Sequence, residues 1–492
     1  MNNHKMSFGL LAFYVVAIFL AGCFPEDSLE WSDDGLVGVL RYEKMLALID
    51  GESGRLTRIC EMEEKDENPF CNISVSGDGK LIAYSIGVKC SSLAEGLEQL
   101  PENQVKLIAL GAQHVREQIL QGQKDYAKMD LGPFRGEPSV NWVVRYLCEN
   151  TDQALIEQMG SEEIDKGQLL DILVYKLFVT TPEQIAEGKA ELVTTSLGVI
   201  CWPKVSPDRK SLAFMSWNGF FEGADEGEFL RFDLYVASLK GDVRSMHIAD
   251  FVAPRYCWRR DSRAITFLEN ELKENPQVYS VGTLRTVEIA DANGSLSSES
   301  EQGSIGTHIS QGTQTDLAGV VFHPFMKVQY GASGRIFFSS HAMRLPASTM
   351  DNEPMWSVFC YDNVTGGVSD VLPRNVSGDL GGNNAMGYFA ISPDEKKMLL
   401  PMMKHRFMIY ELRKSSASSP IAESEEFGDS EWDIMPAWKG NDEMSCLVSE
   451  NSHFLTKEGQ EKHNRKEIVI LGADGKLRRV LSENWPDDIC KF

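Results

Sequence analysis

The chain has 492 residues, 42% hydrophobic and 24% charged, a globular composition with length enough for several domains. Lys and Arg number 48 against 72 Asp and Glu, a formal net charge of −24. That balance argues against a general nucleic-acid binder, which needs positive surface to displace phosphate counterions, and against adhesion to anionic membrane through basic patches.

At the N-terminus, a polar stretch carrying Lys5 precedes an almost unbroken apolar run from Phe8 to Ala21. A span across a bilayer needs about 20 apolar residues, so this shorter run fits the apolar region of a secretory leader. It ends in Leu20-Ala21-Gly22-Cys23, which resembles the lipobox of bacterial lipoproteins. The resemblance implies that 1–22 are removed and that Cys23 is lipidated. Residues 23–30 would then tether a body spanning 31–492 to a membrane, each buried acyl CH2 contributing about 0.8 kcal/mol. Phe24 stands where an Asp is the familiar inner-membrane retention signal of enterobacteria. An outer-membrane protein facing the periplasm is therefore expected, with surface exposure left open.

Nine cysteines follow Cys23, and none has C-x-x-C spacing, so neither a zinc ribbon nor a thioredoxin-like site is supported. Cys60 with Cys71, or Cys71 with Cys90, lie close enough in the chain for a bridge. Buried reduced thiols remain at least as good a reading.

A repeat runs along the rest of the chain. Its copies include Trp31-Ser32-Asp33-Asp34-Gly35, Val75-Ser76-Gly77-Asp78-Gly79, Val205-Ser206-Pro207-Asp208 and Trp258-Arg259-Arg260-Asp261. Others are Ile391-Ser392-Pro393-Asp394 and Trp438-Lys439-Gly440-Asn441-Asp442, and each is followed by an apolar, β-prone run. A degenerate fifth copy is read from Val321-Phe322-His323-Pro324 to Ile336-Phe337-Phe338, with an insertion in its turn. Each copy reads as a hairpin: Pro presets φ, Asp bonds its own backbone, and a Gly or polar residue takes the left-handed conformation. A second hairpin follows most copies, as at Met45–Asp50 before Gly51 to Gly54. Four antiparallel strands repeated radially make a propeller blade. These residues resemble the WD40-like repeats of the periplasmic TolB family, with a consensus near Trp-Ser-Pro-Asp-Gly-Lys and then Ile-Ala-Tyr.

The expected fold is therefore an all-β propeller of four-stranded antiparallel blades, seven by this count, with six or eight left open. The interval from Val75 to Val205 is far longer than the about 40–45 residues a blade needs. Helix-compatible spacing over Gly111–Met129 and Asp152–Gln168 predicts a helical insertion in the second blade, at about 111–168, with the blade's outer strand returning over Leu169–Val179. Ser295–Gln314 and Lys414–Gly428 read as solvated loops.

The sequence contains no G-x-S-x-G elbow, no H-E-x-x-H and no P-loop. The nine His do not cluster along the chain, and His453 and His463 read as surface residues. The acidic runs at Asp225–Glu228 and Glu423–Glu426 lack the ligand alternation of a calcium loop. Anchor aromatics Trp31, Trp258, Phe322 and Trp438 are expected between blades, and the repeat Asp residues in turns. Trp217-Asn218-Gly219-Phe220-Phe221 and Asp379–Asn384 are candidate rim loops. No catalytic residue, metal site or cofactor is expected, and Cys23 is the one assigned site. The favoured function is a lipid-anchored envelope scaffold that binds a protein, peptide or glycan. An enzyme, hydrolase or lyase, with its site in the central channel is the alternative.

Overall fold

The computed structural model describes residues 28–42, 45–61, 72–90, 93–123, 128–135, 137–149, 172–217, 232–239, 245–270, 280–291, 309–322, 327–342, 355–372, 388–402, 406–413, 416–423, 435–448, 467–483 and 485. Cys23, the helix expected over Asp152–Gln168, and His453 and His463 lie outside these residues. So do Asp379–Asn384, the Asp225–Glu228 run, residues 424–426 of the second acidic run, and residues 218–221 after Trp217.

Seven four-stranded antiparallel blades form a β-propeller. Blade one is Ser28–Trp31, Val37–Tyr42, Met45–Asp50 and Leu56–Glu61, paired in that order. Blades two, five, six and seven repeat the pattern, while blades three and four share one seven-stranded sheet. The shared element is the long strand Ser245–Trp258. Its first part pairs with Phe232–Ser238 of blade three and its last part with Ala264–Asn270 of blade four.

The turn between the first two strands is built by the repeat. In blade two the Ser76 hydroxyl donates to Asp78 at 2.7 Å and accepts the Leu81 amide at 2.9 Å, while Asp78 accepts the Lys80 amide at 3.2 Å. Ser32/Asp34, Ser206/Asp208 and Ser392/Asp394 reproduce the network. Burial pushes the Asp78, Asp208 and Asp394 carboxyls up. Their serine partner, the backbone amide and a nearby cation outweigh it and leave each below the usual carboxylate range.

The fifth copy is corrected. Phe322 belongs to the outermost strand of blade four, opposite Ser280, and blade five begins at Val328–Tyr330. Its turn is Gly331-Ala332-Ser333-Gly334, with no insertion and no Asp. Glu395 of blade six supplies the missing carboxylate, accepting from the Ser333 amide at 2.6 Å and the Ser333 hydroxyl at 2.9 Å. A Cβ on residue 331 would stand 2.4 Å from the Glu395 carboxyl carbon, so only glycine leaves room for it.

Other anchors behave as expected. The Trp258 indole donates to the Lys204 carbonyl at 2.8 Å and the Trp438 indole to the Ala390 carbonyl at 2.9 Å, in each case across to the preceding blade. Trp31 reaches Ser445 at 2.9 Å, and Ser445 passes the bond to the Ala437 carbonyl at 3.4 Å, closing the ring between blades one and seven. Leu40, Ile49, Leu447, Ile470, Leu481 and Trp485 form the apolar part of that seam. The Trp485 indole donates to the Gly54 carbonyl at 2.8 Å, and Arg479 donates to the carbonyls of Gly51 and Glu52.

The insertion enters between the second and third strands of blade two, Ile82–Cys90 and Ile172–Thr180. Its described helices are Leu93–Glu98, Glu102–Leu120 and Pro138–Glu149. They start well before residue 111, because an apolar stripe of Ile108, Ala112, Val115 and Ile119 already packs on Val140, Val143 and Val144. The returning strand is not the outer one: Ile172–Thr180 is the third of the blade, and Glu191–Leu197 beyond it is the outermost. Two expected loops are partly strand: Ile309–Phe322 and Ser416–Glu423 close blades four and six. Residues 312–316 are exposed, so an outermost strand there needs no apolar face and its composition reads as loop.

Candidate binding channel

The first strands of neighbouring blades touch one another in an inner ring around the axis, and their alternate side chains face the blades on either side. Glu30 of blade one, Lys204 of blade three, Lys327 ahead of blade five and Tyr388 ahead of blade six are all half-buried. Arg255 joins them from the point where Ser245–Trp258 passes from blade three into blade four. Glu30 and Arg255 each act electrostatically on Lys204, Lys327 and Tyr388. Residues carried by five blades on this inner ring line a central channel.

Aromatic rings carry the cations. Lys204 Nζ donates to the Tyr256 carbonyl at 2.9 Å and lies 5.5 Å from the Tyr256 ring centroid. Lys327 Nζ is 4.7 Å from the Tyr388 ring centroid, and the Arg255 guanidinium is 6.0 Å from that of Trp202. Trp202 is held at φ 45°, directly before Pro203, where the pairing with Ser211–Trp217 slips register. A bulky residue before proline pays twice for a left-handed backbone. The Tyr256 hydroxyl, donating to the Trp202 carbonyl at 2.6 Å, fixes that bulge. Burial, then Arg255, push Lys327 down to about 8 against the pull of Glu30. Burial likewise lowers Lys204 and raises Tyr388 to about 12.

A second cluster sits where the insertion meets blade three. Asp233, His247 and Asp250 bring ligand atoms within 4.8 Å of one another, the donor set of a divalent-cation site. Two guanidiniums already occupy the position of such a cation. Arg145 donates to both Asp233 oxygens at 3.0 and 2.9 Å, and Arg135 to Asp250 at 2.5 Å. Burial raises Asp250, yet His247, Arg135 and Arg145 together hold it well below the carboxylate range. The Asn141 amide donates to the Tyr235 hydroxyl at 2.6 Å beside them. The cluster locks helix Pro138–Glu149 to blade three. Sequence reading missed it because the acids and the arginines come from three separated segments. The spacing of His247 and Asp250 was the only local signal.

At the opposite ends of the blades the turns are stapled to one another. Arg209, Ser262 and Glu395 occupy the left-handed turn position at φ 59°, 63° and 59°, where Gly35 and Gly79 stand in blades one and two. Each non-glycine reaches the preceding blade: Arg209 to Asp78 at 3.3 Å, Ser262 to the Asp208 amide at 2.8 Å, and Glu395 to Ser333. The repeat Asp residues are thus turn formers, as expected. Cys90, Cys201, Cys257, Cys360 and Cys446 are free and buried. Burial raises all five thiols, Cys257 to about 12 and Cys360 to about 11.

No protein-family model matches the sequence, and no curated protein matches it either. Among solved structures the chain is similar to TolB from Acinetobacter baumannii, at 15% identity over 62% of this chain and 58% of that one, TM-score 0.35. It is also similar to a prolyl endopeptidase, at 12% identity over 96% of this chain and 54% of that one, TM-score 0.43. A third is the β-propeller domain of Cps50 (Swd1) from Myceliophteria thermophila, at 7% identity over 85% and 92%, TM-score 0.41. This chain therefore spans little more than half the length of the TolB and endopeptidase chains. The propeller assignment rests on the strand topology itself.

Proposed function

We propose that this protein is a lipid-anchored propeller of a bacterial cell envelope, serving as a rigid scaffold for a protein, peptide or glycan partner. The observation that supports it is the distance from Cys23 to the wheel. Only four residues separate Cys23 from Ser28, where the first strand of blade one begins. Four residues reach at most about 14 Å, so an acylated Cys23 would hold the wheel against the membrane. Because the blades are antiparallel, the chain enters Ser28–Trp31 at the end opposite the stapled turns. The helical insertion leaves blade two at that same entry end. The stapled face would then point away from the bilayer, toward a partner.

The test is detergent-phase partitioning and mass spectrometry of the mature N-terminus, in wild type and Cys23→Ala, with crosslinking in intact cells. Acyl-Cys23 in the detergent phase and an envelope partner lost in the variant are expected. A mature protein that keeps residues before Cys23, or that partitions identically in both forms, would overturn the anchor. An anchored protein that crosslinks to no envelope component would overturn the scaffold.

A further inference from the structure

We propose that the axial channel binds a small multivalent oxyanion, gripped by Lys204, Arg255 and Lys327 between aromatic walls. The inference is independent of the lipid anchor. Three cations meet there because Lys204 bonds Tyr256, Arg255 lies over Trp202, and Val328–Tyr330, directly after Lys327, packs on Ser245–Trp258. Among the described residues Glu30 is the one carboxylate acting on both lysines and on Tyr388. Yet the chain as a whole carries a net charge of −24, so acids to neutralise them were plentiful. Among the described residues no carboxylate lies within 4.0 Å of any of the three cations. Arg255 Nε is buried with no hydrogen-bond partner among them. Lys204 spends one of its three protons on the Tyr256 carbonyl and keeps two. The strained Trp202 bulge stands beside Arg255, and strain of this kind persists where the surroundings over-determine it, often at ligand clamps.

Like charges in a confined channel repel one another, and an oxyanion with two or more negative charges relieves that repulsion while satisfying the open donors. A monovalent halide offers neither the charge nor the several acceptors. The groups facing Lys327 are Arg255, Glu30, Cys257 and the rings of Tyr388 and Phe389, with Lys204 near enough to feel it. Occupancy by an anion adds a negative charge to that set, so Lys327 should take up a proton on binding near pH 8.

The full chain in detergent would be titrated calorimetrically with inorganic phosphate and with citrate at constant ionic strength, and chloride as control. The titrations would be repeated in buffers of different ionisation enthalpy. Saturable binding at least tenfold tighter than chloride is expected, weakened at least tenfold by Lys327→Met or Arg255→Met. Proton uptake at pH 8 should vanish in Lys327→Met. Glu30→Gln should act in the opposite sense and tighten binding, which separates a channel effect from a variant that has merely lost its fold. The proposal is overturned if neither anion saturates, if chloride competes equally, or if Glu30→Gln weakens binding as much as the lysine variant does.

Discussion

Replacing Arg145 by Met tests whether the insertion is held by charge or by its apolar seam. Arg145 and Asp233 are 4% and 0% exposed, with the closer contact at 2.9 Å. At an effective dielectric near 20, the Coulomb attraction at that distance is about 6 kcal/mol. Desolvating both ions cancels much of it, so the intact pair contributes little net stability. Removing one partner is different, because Asp233 is then left charged and buried beside Asp250. The cost should be about 3–5 kcal/mol. Asp233→Asn should cost a comparable amount, and the double variant should recover most of the loss, giving a coupling of at least about 2 kcal/mol. Urea titration supplies the free energies. Hydrogen exchange locates the loss, which should fall on Glu102–Leu120 and Pro138–Glu149 before blades five to seven. Single variants within about 0.5 kcal/mol of wild type, or simply additive ones, would refute the argument and leave the apolar packing against Val174 and Leu197, with the Arg135–Asp250 and Asn141–Tyr235 contacts, to hold the insertion.

Other outcomes follow from the same structure. Trp438→Phe leaves the Ala390 carbonyl without its 2.9 Å indole donor and should lower stability by about 1–3 kcal/mol in urea, whereas Trp31→Phe should cost less because Ser445 still reaches the Ala437 carbonyl. Gly51→Ala would put a Cβ 2.0 Å from the Gly35 carbonyl oxygen and should cost more than about 3 kcal/mol, while Gly475→Ala, at φ 76° with open space around it, should cost only the about 1–2 kcal/mol of left-handed strain. Native Cys201, Cys257 and Cys446 should resist alkylation at pH 8 and react once unfolded, as peptide-resolved mass spectrometry would show. Asp78, Asp208 and Asp394 have folded pKa values below their unfolded ones, so they contribute stability above about pH 4 that is lost as pH falls through the folded values. Lys327 has a dependence of the same sign at higher pH. Its folded pKa near 8 lies below the unfolded value, so between pH 8 and about 10.5 the folded state sheds the proton first and the urea midpoint should rise. Lys327→Met should abolish that rise.

The fold was legible because the signal is local. An Asp-bearing turn followed by an apolar run encodes both the turn and the strand after it, and six of the repeats needed nothing else, although only two of them carry the full Ser-Pro-Asp. The fifth was misread for a physical reason: its turn borrows a carboxylate from Glu395, 62 residues away, so the Asp that marks the others is missing. Val321-Phe322-His323-Pro324 imitated the pattern nearby. The outermost strands of blades four and six escaped notice because exposed strands tolerate Ser, Gly and Gln. The channel was invisible for a different reason. Glu30, Lys204, Arg255, Lys327 and Tyr388 are unremarkable in sequence, and only closing the circle brings residues of five blades around one axis. Asp233, His247 and Asp250 likewise meet only once two strands pair.

The seam between blades one and seven has a mechanical consequence. Blade one is made wholly of the earliest described strands and blade seven of the last, so no described strand is exchanged across the joint. Elsewhere the backbone itself runs from blade to blade, and between blades three and four it does so within a single unbroken sheet. The wheel is in effect a split washer, latched by Trp31, Arg479 and Trp485. Prying it there breaks side-chain contacts but no ladder, so thermal breathing should concentrate at that latch. When the latch gives, the wheel should part along that one radius with every blade intact.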